Sequence, residues 1–213
     1  LMLFYGGMKV AVMQPYFFPY RGYHRLIEES DLFVIFDCVQ FPRRGWVHRN
    51  KPRSEGSWLT IPIEKCELGT KICDVRLSQN YDSEMRNRIR KFPEISKHAF
   101  EDSKLMEVLF DKEDERALPL IVNSLKYSCE ILGIDFNYIF SSDLEIDQDI
   151  FGENRILSIL ENVGAWGYIN SPSGRGLYSE DKFRDRGVEL SFLPPWDGSF
   201  DSVLTMILLG NDH

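Results

Sequence analysis

The chain has 213 residues, of which 43% are hydrophobic and 13% are aromatic. This content excludes a disordered chain and is enough for a full hydrophobic core. The formal net charge of −8 argues against a generalised nucleic-acid-binding surface and against an anionic-membrane surface. We therefore expect a globular protein without a nucleic-acid partner.

The start of the chain predicts a short extension followed by one domain. We place the extension at residues 1–8 and a single α/β domain at residues 9–213. The first residues do not resemble a secretory leader, and no apolar run reaches the length that spans a membrane. A cytoplasmic, reducing location without membrane insertion is therefore expected.

The cysteines predict neither a metal site nor a disulfide framework. Their spacing contains no CxxC pair and no cluster with histidine at zinc spacing, so we expect no structural metal. Two of them flank a short turn and could approach each other, but a reducing compartment disfavours that disulfide. The cysteines are Cys38, Cys66, Cys73 and Cys129, and the pair at the turn is Cys66 and Cys73.

The first structural unit predicted by the chain is a β-loop-α-β unit. Short apolar runs at residues 9–13 and 32–36 are typical of buried central strands, and a helix is expected from about Tyr23 to Ser30. Two strands joined through a helix favour a parallel, right-handed pairing. This unit predicts the start of an α/β sheet.

The loop between that strand and that helix is unusually aromatic. Open α/β sheets bind ligands where a strand runs into a helix, so this loop predicts the wall of a pocket. The alternative is a hydrophobic plug against a neighbouring layer, but the polar groups would then need buried partners. The candidate ligand-binding residues in this loop are Gln14, Tyr16, Tyr20, Gly22 and Tyr23.

The middle of the chain predicts an antiparallel arm and then helices. Residues 46–50, 57–63 and 74–78 alternate or carry β-branched side chains and are separated by turn residues, which is typical of antiparallel strands. From about residue 82 to residue 132 apolar positions recur at helical spacing, and Gly133 is placed to end the last helix.

The rest of the chain alternates strands and helices again. The resulting fold class is α/β, with a Rossmann-like, mostly parallel sheet, an antiparallel β arm and an inserted helical segment. The predicted elements are a strand at 136–140, a helix at 154–163, a strand at 167–170, a helix at 179–186 and a strand at 189–193.

Polar loops follow three of the predicted strands, and the ends of parallel strands share one edge of a sheet. We therefore expect the aromatic loop, a second, basic loop and a third, serine-rich loop to surround one small anionic or sugar-like ligand. In the third loop, hydroxyl and backbone N–H groups could bind an anion beside a guanidinium fork. The second-loop candidates are Asp37, Gln40, Arg44, Trp46, Arg49 and Asn50, and the third-loop candidates are Ser171, Ser173, Gly174 and Arg175.

Several of these residues have a structural interpretation as well. Trp46 is equally compatible with a flat wall for a base or sugar and with an anchor of the hairpin core. Asp37 more often caps a turn than faces a ligand, and His24 and His48 are more often structural than catalytic. On an extended segment, Arg49 would point away from Arg44 and Trp46, unless turn geometry overrides this alternation.

Five segments carry a resemblance to a known family. QPYFFPYRGY, LIEESDLFVIFDCVQF, RRGWVHRN, WLTIPI and YINSPSGRGLY resemble the WbqC-like family of bacterial and archaeal proteins, which is often associated with surface-polysaccharide gene clusters. The likeness runs from about Met8 to Leu193. The segment after residue 80 and the last residues depart from the family pattern.

A remoter similarity suggests a chemistry. Nucleotidyltransferases with an H-x-G-H signature, and pantoate-activating ligases, share this order of strand, loop, helix and strand. Tyr20 and Tyr23 occupy the place of the two histidines, so transition-state charge would have to be stabilised by Arg21, Arg44 or Arg175. The similarity therefore supports the fold more than the reaction.

These observations favour an enzyme, a transferase or ligase, that binds a nucleotide or phosphorylated intermediate and activates or transfers an acyl or nucleotidyl group in amino-sugar chemistry. Its expected catalytic residues are Arg44, Arg175 and Tyr23, and ATP or a nucleotide sugar with Mg²⁺ is the expected cofactor, with Asp37 as a candidate ligand. The alternative is a non-catalytic sugar- or carrier-binding module. An acyltransferase with Cys38 as nucleophile is a third hypothesis. The sequence gives no oligomeric state.

Overall fold

The computed structural model describes residues 7–112 and 114–210. The strands are β1 (Met8–Met13), β2 (Leu32–Ile35), β3 (Arg49–Asn50), β4 (Leu59–Thr60), β5 (Tyr138–Phe140), β6 (Ala165–Asn170) and β7 (Glu189–Phe192). The α-helices are α1 (Arg21–Glu28), α2 (Tyr81–Ile89), α3 (Pro93–Glu101), α4 (Ser103–Phe110), α5 (Ala117–Leu132), α6 (Gly152–Asn162), α7 (Glu180–Asp185) and α8 (Val203–Leu209).

The chain divides into two compact units. The sheet unit contains Gly22–Phe36, Asp135–Asp197 and the residues up to Met13. The helical unit contains Gln14–Arg21, Asp37–Ile134 and the residues from Gly198 onward.

The sheet unit is built on a five-stranded parallel sheet in the order β5-β2-β1-β6-β7. β1 pairs with β2 on one side and with β6 on the other, so Val10 and Ala11 in the central strand are fully buried. Strands buried on both faces are expected to be continuously apolar, as are residues 10–13 of β1 and the whole of β2. The α/β fold and the parallel sheet predicted from the sequence are thereby confirmed.

One face of this sheet carries the core of the unit. Leu157 and Leu160 of α6 and Phe183 of α7 pack with the sheet residues Val34 and Tyr168. The rings of Tyr168 and Phe183 are stacked at an angle of 8°, with their centres 5.6 Å apart. α6 and α7 connect consecutive parallel strands, which is the role expected of crossover helices in such a sheet.

In the helical unit, α5 packs against α4 and α8, and α3 packs against both α4 and α8. Gly133 ends α5 with a φ of 67°, the left-handed conformation expected after a helix, so this predicted end is confirmed. The short pair β3–β4 is antiparallel and forms a separate two-stranded sheet.

The antiparallel arm is shorter than the sequence pattern predicts. Only two residues of each predicted strand pair in β3 and β4, and the third predicted strand is reduced to isolated bridges, of which one joins Ile63 and Leu77. Residues 43–48 form turns rather than a strand. The predicted strands were too long because residues 46–48 form a turn and because Pro62, which has no backbone N–H, lies inside the second predicted strand.

Two further expectations at the ends of the chain need correction. Met8 belongs to β1, so the predicted extension at 1–8 ends earlier than expected, and residues 1–6 lie outside the described residues. The sequence pattern did not predict α8, which begins at Val203. The side chain of Ser202, just before the helix, accepts a hydrogen bond from the backbone N–H of Leu204. This serine is a normal helix N-cap.

Candidate functional site

The aromatic loop is held by side chains from three distant parts of the helical unit. Phe18 has a φ of 42°, a conformation that bulky residues rarely adopt. The side-chain amide of Asn50 donates to the backbone carbonyls of both Phe17 and Phe18, and Ser202 Oγ donates to the Phe18 carbonyl at 2.6 Å. Ser124 Oγ accepts from the Phe18 N–H at 3.3 Å. These bonds offset the strain, which costs about 1–3 kcal/mol at such a position.

The loop is part plug and part surface. Phe17 and Phe18 are fully buried, so these two rings are the hydrophobic plug that was the alternative interpretation. Tyr16 and Tyr20 are half-buried, and burial, followed by the nearby Tyr20 hydroxyl, raises the pKa of Tyr16. The ring of Tyr20 lies 5.0 Å from that of the exposed Phe200. A pocket wall formed by Gln14, Tyr16 and Tyr20 stays a prediction.

The second, basic loop folds back on itself through one arginine. Arg49 Nε donates to the carbonyl of Gly45 at 3.0 Å, and its guanidinium also donates to the carbonyl of Arg44. The segment is turned rather than extended, so turn geometry overrides the alternation that an extended strand would have. The guanidinium of Arg49 is thus occupied in fixing the shape of the loop.

A pair of tryptophans lies beside that arginine. Trp46 is 39% exposed, and its ring meets that of Trp58 edge to face with 4.8 Å between the ring centres. Arg49 lies 4.1 Å and Lys51 5.4 Å from the centre of the Trp58 ring. The Trp46 carbonyl accepts from the Phe17 N–H at 3.4 Å, so the first two of the three predicted loops do come together.

His48 follows this turn and is a buried, neutral imidazole. Its ring packs edge to face on Phe41 with 4.9 Å between centres. Burial, followed by the cations of Arg49 and Arg88, lowers the pKa of His48 to about 4. Its buried Nδ1 finds no hydrogen-bond partner among the described residues. These properties fit the expected structural role and not that of a base poised near neutral pH.

Of the remaining second-loop candidates, one is buried and the other is exposed. Asp37 is fully buried, and its carbonyl accepts from the Cys73 N–H at 3.1 Å, whereas Gln40 is exposed and forms a backbone bridge with Lys71. The ligand-binding roles of Asp37 and Gln40 stay predictions.

The cysteines are free thiols, so Cys66 and Cys73 do not form the disulfide that their spacing allowed. Burial raises the pKa of Cys66, and it raises the pKa of Cys73 to about 11, where Asp74 and Asp37 add to the effect. Neither thiol has the depressed pKa that a nucleophile needs.

Two candidates on α1 lie inside the sheet unit. Gly22 and Tyr23 are buried, and the ring of Tyr23 lies 6.0 Å from those of His24 and Phe33. His24 is fully buried. Tyr23 therefore contributes to packing, and its catalytic role stays a prediction.

The third, serine-rich loop is built on a buried asparagine that the sequence analysis did not single out. Asn170 ends β6, and its Nδ2 donates to the hydroxyls of Tyr168 at 2.9 Å and Tyr178 at 3.1 Å. Its Oδ1 accepts from the Ser171 N–H at 2.7 Å. A Cβ on Gly174 would lie 2.9 Å from Asn170 Nδ2, so only glycine fits there without a shift.

After this asparagine in the sequence, the loop carries two serine hydroxyls and one arginine guanidinium. Ser171 and Ser173 share a hydrogen bond of 2.8 Å between their hydroxyls. Arg175 is exposed, and its guanidinium lies 4.9 Å from the ring centre of Phe192 in β7. Because the strand order changes direction between β1 and β6, the loop after β6 lies at the switch point, where open α/β sheets bind ligands. A pocket shared by all three loops stays a prediction.

Sequence reasoning missed the residues that position these loops. Asn170 stands directly before the serine-rich motif, and Trp58 opens the segment that contains β4. Asparagine at the carboxyl end of a strand is a signal that could have been used, because its amide can satisfy both a turn N–H and neighbouring hydroxyls. The pairing of Trp58 with Trp46 had no local signal.

The described residues contain neither a metal-binding cluster nor a membrane-spanning helix. Nowhere in residues 7–112 and 114–210 do three or more histidine, cysteine or acidic side chains gather as a group that could hold a metal ion. None of the helices in the same ranges combines the length and apolar character needed to cross a membrane.

Comparisons with known proteins agree with the sequence resemblance. A profile of the WbqC-like protein family matches residues 14–205. A Mycobacterium tuberculosis (strain ATCC 25618 / H37Rv) protein named "Uncharacterized protein Rv1507c" is 27% identical over 198 residues, which covers 91% of this chain and 84% of that protein. No solved structure matches the chain. Since the family profile covers both predicted loops of the helical unit and the serine-rich loop, the chain belongs to the WbqC-like protein family.

Proposed function

We propose that this protein is a cytoplasmic enzyme that binds a nucleotide or phosphorylated intermediate and activates or transfers an acyl or nucleotidyl group, in the biosynthesis of amino sugars for surface polysaccharide. The observation that carries the proposal is the serine-rich loop at the switch point of the parallel sheet. Ligands of doubly wound sheets bind at this position, and hydroxyls beside a guanidinium suit phosphate oxygens.

In this proposal, Ser171, Ser173 and the backbone at Gly174 bind phosphate oxygens, and Arg175 neutralises charge. Asn170 has both ends of its amide engaged and acts by positioning the loop. Because the serine hydroxyls already bond to each other, a phosphate needs only to replace that single bond. The loop is therefore arranged before the ligand arrives, which lowers the ordering cost of binding.

The basic loop of the helical unit offers candidate ligand contacts of its own. Arg44 is an exposed cation, and Trp46 offers a flat surface for a base or sugar. Arg44 and Arg175 are each candidates for the charge-stabilising role that histidines hold in the remotely similar nucleotidyltransferases. A nucleoside triphosphate would bring Mg²⁺, which needs only one or two protein carboxylates in addition to phosphates. Asp37 is our candidate for that carboxylate.

A second function has one specific observation in its favour. The exposed Trp46, fixed edge to face against Trp58, is the kind of surface that a sugar-binding module uses. In a non-catalytic module, the sugar would raise the melting temperature while no substrate is turned over. A turnover screen with bound ligands separates the two functions.

Equilibrium titration with ATP, nucleotide sugars and acyl donors tests the enzyme proposal. Arg175→Ala is expected to weaken binding of the phosphate-containing ligand by at least about tenfold, as is typical of a lost hydrogen bond to a charged group. Arg184→Ala is the matched control, because Arg184 is an exposed arginine of the same unit that pairs with Asp181 instead. The proposal is refuted if none of these ligands binds, or if both variants weaken binding equally.

A further inference from the structure

The basic loop carries a rigid, exposed aromatic surface two residues after an exposed cation in the same turn. Trp46 is 39% exposed, yet its position is fixed from behind. Arg49 holds the turn through the carbonyls of Gly45 and Arg44 and lies 4.1 Å from the centre of the Trp58 ring, and Trp58 in turn meets Trp46 at 4.8 Å. A single exposed apolar side chain is ordinary, but one fixed by two layers of contacts is a prepared surface.

Two residues before this ring in the sequence, Arg44 carries a positive charge. Arg44 is exposed, and within residues 7–112 and 114–210 its guanidinium forms no ion pair. The neighbouring cations are occupied differently: Arg43 donates to the carbonyl of Cys66, and Lys51 donates to that of Ser54. No acidic residue stands in the sequence between Asp37 and Glu55, although the whole chain carries a net charge of −8.

We infer that Trp46 and Arg44 form a subsite for a pyranose sugar that carries an anionic group, a carboxylate or a phosphate. The apolar face of the sugar ring packs on the indole, and the anionic group takes the planar guanidinium of Arg44. The inference rests on the proposed function for the reaction that the sugar enters, and it names the sugar, rather than the base, as the ligand of Trp46.

The chemistry of the loop favours an anionic sugar over a nucleic acid and over a neutral sugar. A nucleic acid would require a broad basic surface, which the overall charge disfavours. A neutral sugar would use the ring but would leave the guanidinium without a partner. An anionic pyranose uses both groups, so its affinity depends on both at once.

The test is a titration that follows tryptophan fluorescence and is confirmed by calorimetry. The probes are methyl glucuronide, glucose 1-phosphate and the neutral methyl glucoside. The wild-type protein is expected to bind at least one of the two anionic sugars at least about tenfold more tightly than the neutral glucoside. Whether the carboxylate or the phosphate probe binds more tightly identifies the anionic group. Equal affinity for charged and neutral probes, or no binding of any probe, overturns the inference.

Two pairs of variants locate the binding. Trp46→Ala and Arg44→Gln are each expected to weaken binding of the anionic sugar by about tenfold. Trp46→Phe is expected to keep most of the affinity because an aromatic face remains. Trp166→Ala is the control, since Trp166 is similarly exposed, at 45%, and lies on β6. Circular dichroism checks that each variant is folded, and Trp46→Phe serves as the test if Trp46→Ala is not. Unchanged sugar affinity in Trp46→Ala or Arg44→Gln overturns the inference.

The same samples separate this inference from the proposed function. ATP binding that is lost in Arg175→Ala but kept in Trp46→Ala supports two distinct ligand contacts. Binding of the anionic sugar without binding of any nucleotide or acyl donor refutes the proposed enzyme and leaves the sugar subsite. Binding of nucleotide without binding of anionic sugar has the opposite meaning and refutes the subsite alone.

Discussion

Replacing His48 by phenylalanine should remove a large part of the acid sensitivity of this protein. His48 is buried against Phe41, near the cations of Arg49 and Arg88, and its pKa is lowered to about 4. Phenylalanine keeps an aromatic ring beside Phe41 and cannot take up a proton. It also removes the buried Nδ1, which has no partner among the described residues.

The size and sign of the effect follow from the two pKa values. In the unfolded chain the imidazole titrates near its ordinary value of 6.5, whereas in the folded protein it stays neutral down to about pH 4. Between these values the unfolded state binds more protons, so lowering the pH favours unfolding. The contribution of neutral His48 to the free energy of unfolding is fully present above pH 6.5. It decreases as the pH falls through this window and is lost completely below pH 4. At 1.36 kcal/mol per pH unit the full loss is about 3 kcal/mol.

Urea unfolding followed by far-UV circular dichroism at several pH values between 7 and 4.5 measures this loss. The wild-type protein should lose about 2–3 kcal/mol more than His48→Phe across this range. His98→Gln is the control, because His98 is an exposed histidine and its removal does not alter a buried site. Carboxylates also contribute to acid unfolding, but they are common to all three proteins and cancel in the comparison. Parallel pH profiles for the wild type and His48→Phe would refute the reasoning.

Two other substitutions test how the loops are held. Gly174→Ala should destabilise the protein by about 1–3 kcal/mol in urea unfolding, because its Cβ would lie 2.9 Å from Asn170 Nδ2. Gly176→Ala should be nearly neutral, since a Cβ there meets nothing within 4 Å, and equal effects would contradict the packing argument. Asn50→Ala should cost about 1–3 kcal/mol by removing the donor to two buried carbonyls. Asn162→Ala, which removes an exposed amide bonded within its own helix, should cost little, and thermal unfolding of the pair measures the difference.

The elements of the sheet were predictable because their signals are local. The apolar runs of β1 and β2 predicted central parallel strands, and Gly133 marked a helix end with a φ of 67°. The helix α8 was not predictable in the same way. It covers only seven residues of apolar sequence, from Val203 to Leu209, and such a short run does not distinguish a helix from a strand.

The candidate site was predictable as loops but not as contacts. The sequence placed Ser171 and Arg175 after a strand, and the strand order puts that loop at the switch point. It could not show that Ser202 bonds to the carbonyl of Phe18 across 184 residues of sequence. It also could not show that the amide of Asn50, a predicted ligand-binding residue, donates to the aromatic loop. Contacts between distant segments exist only once the chain is folded, so residue type and spacing cannot supply them.

The proposed site residues consequently separate into two kinds that different measurements can tell apart. Asn50, Asn170 and Arg49 have their polar groups engaged with the backbone or with neighbouring side chains, so removing them should lower stability and ligand affinity together. Arg44 and Arg175 are exposed, so removing them should lower affinity with little change in stability. Rigid loops with free cations at their surface are what a site needs in order to bind an anion without first ordering itself. Hydrogen exchange measures whether the ligand stiffens either loop. A ligand that stiffens neither loop, yet binds more weakly when Arg44 or Arg175 is replaced, would fit that arrangement.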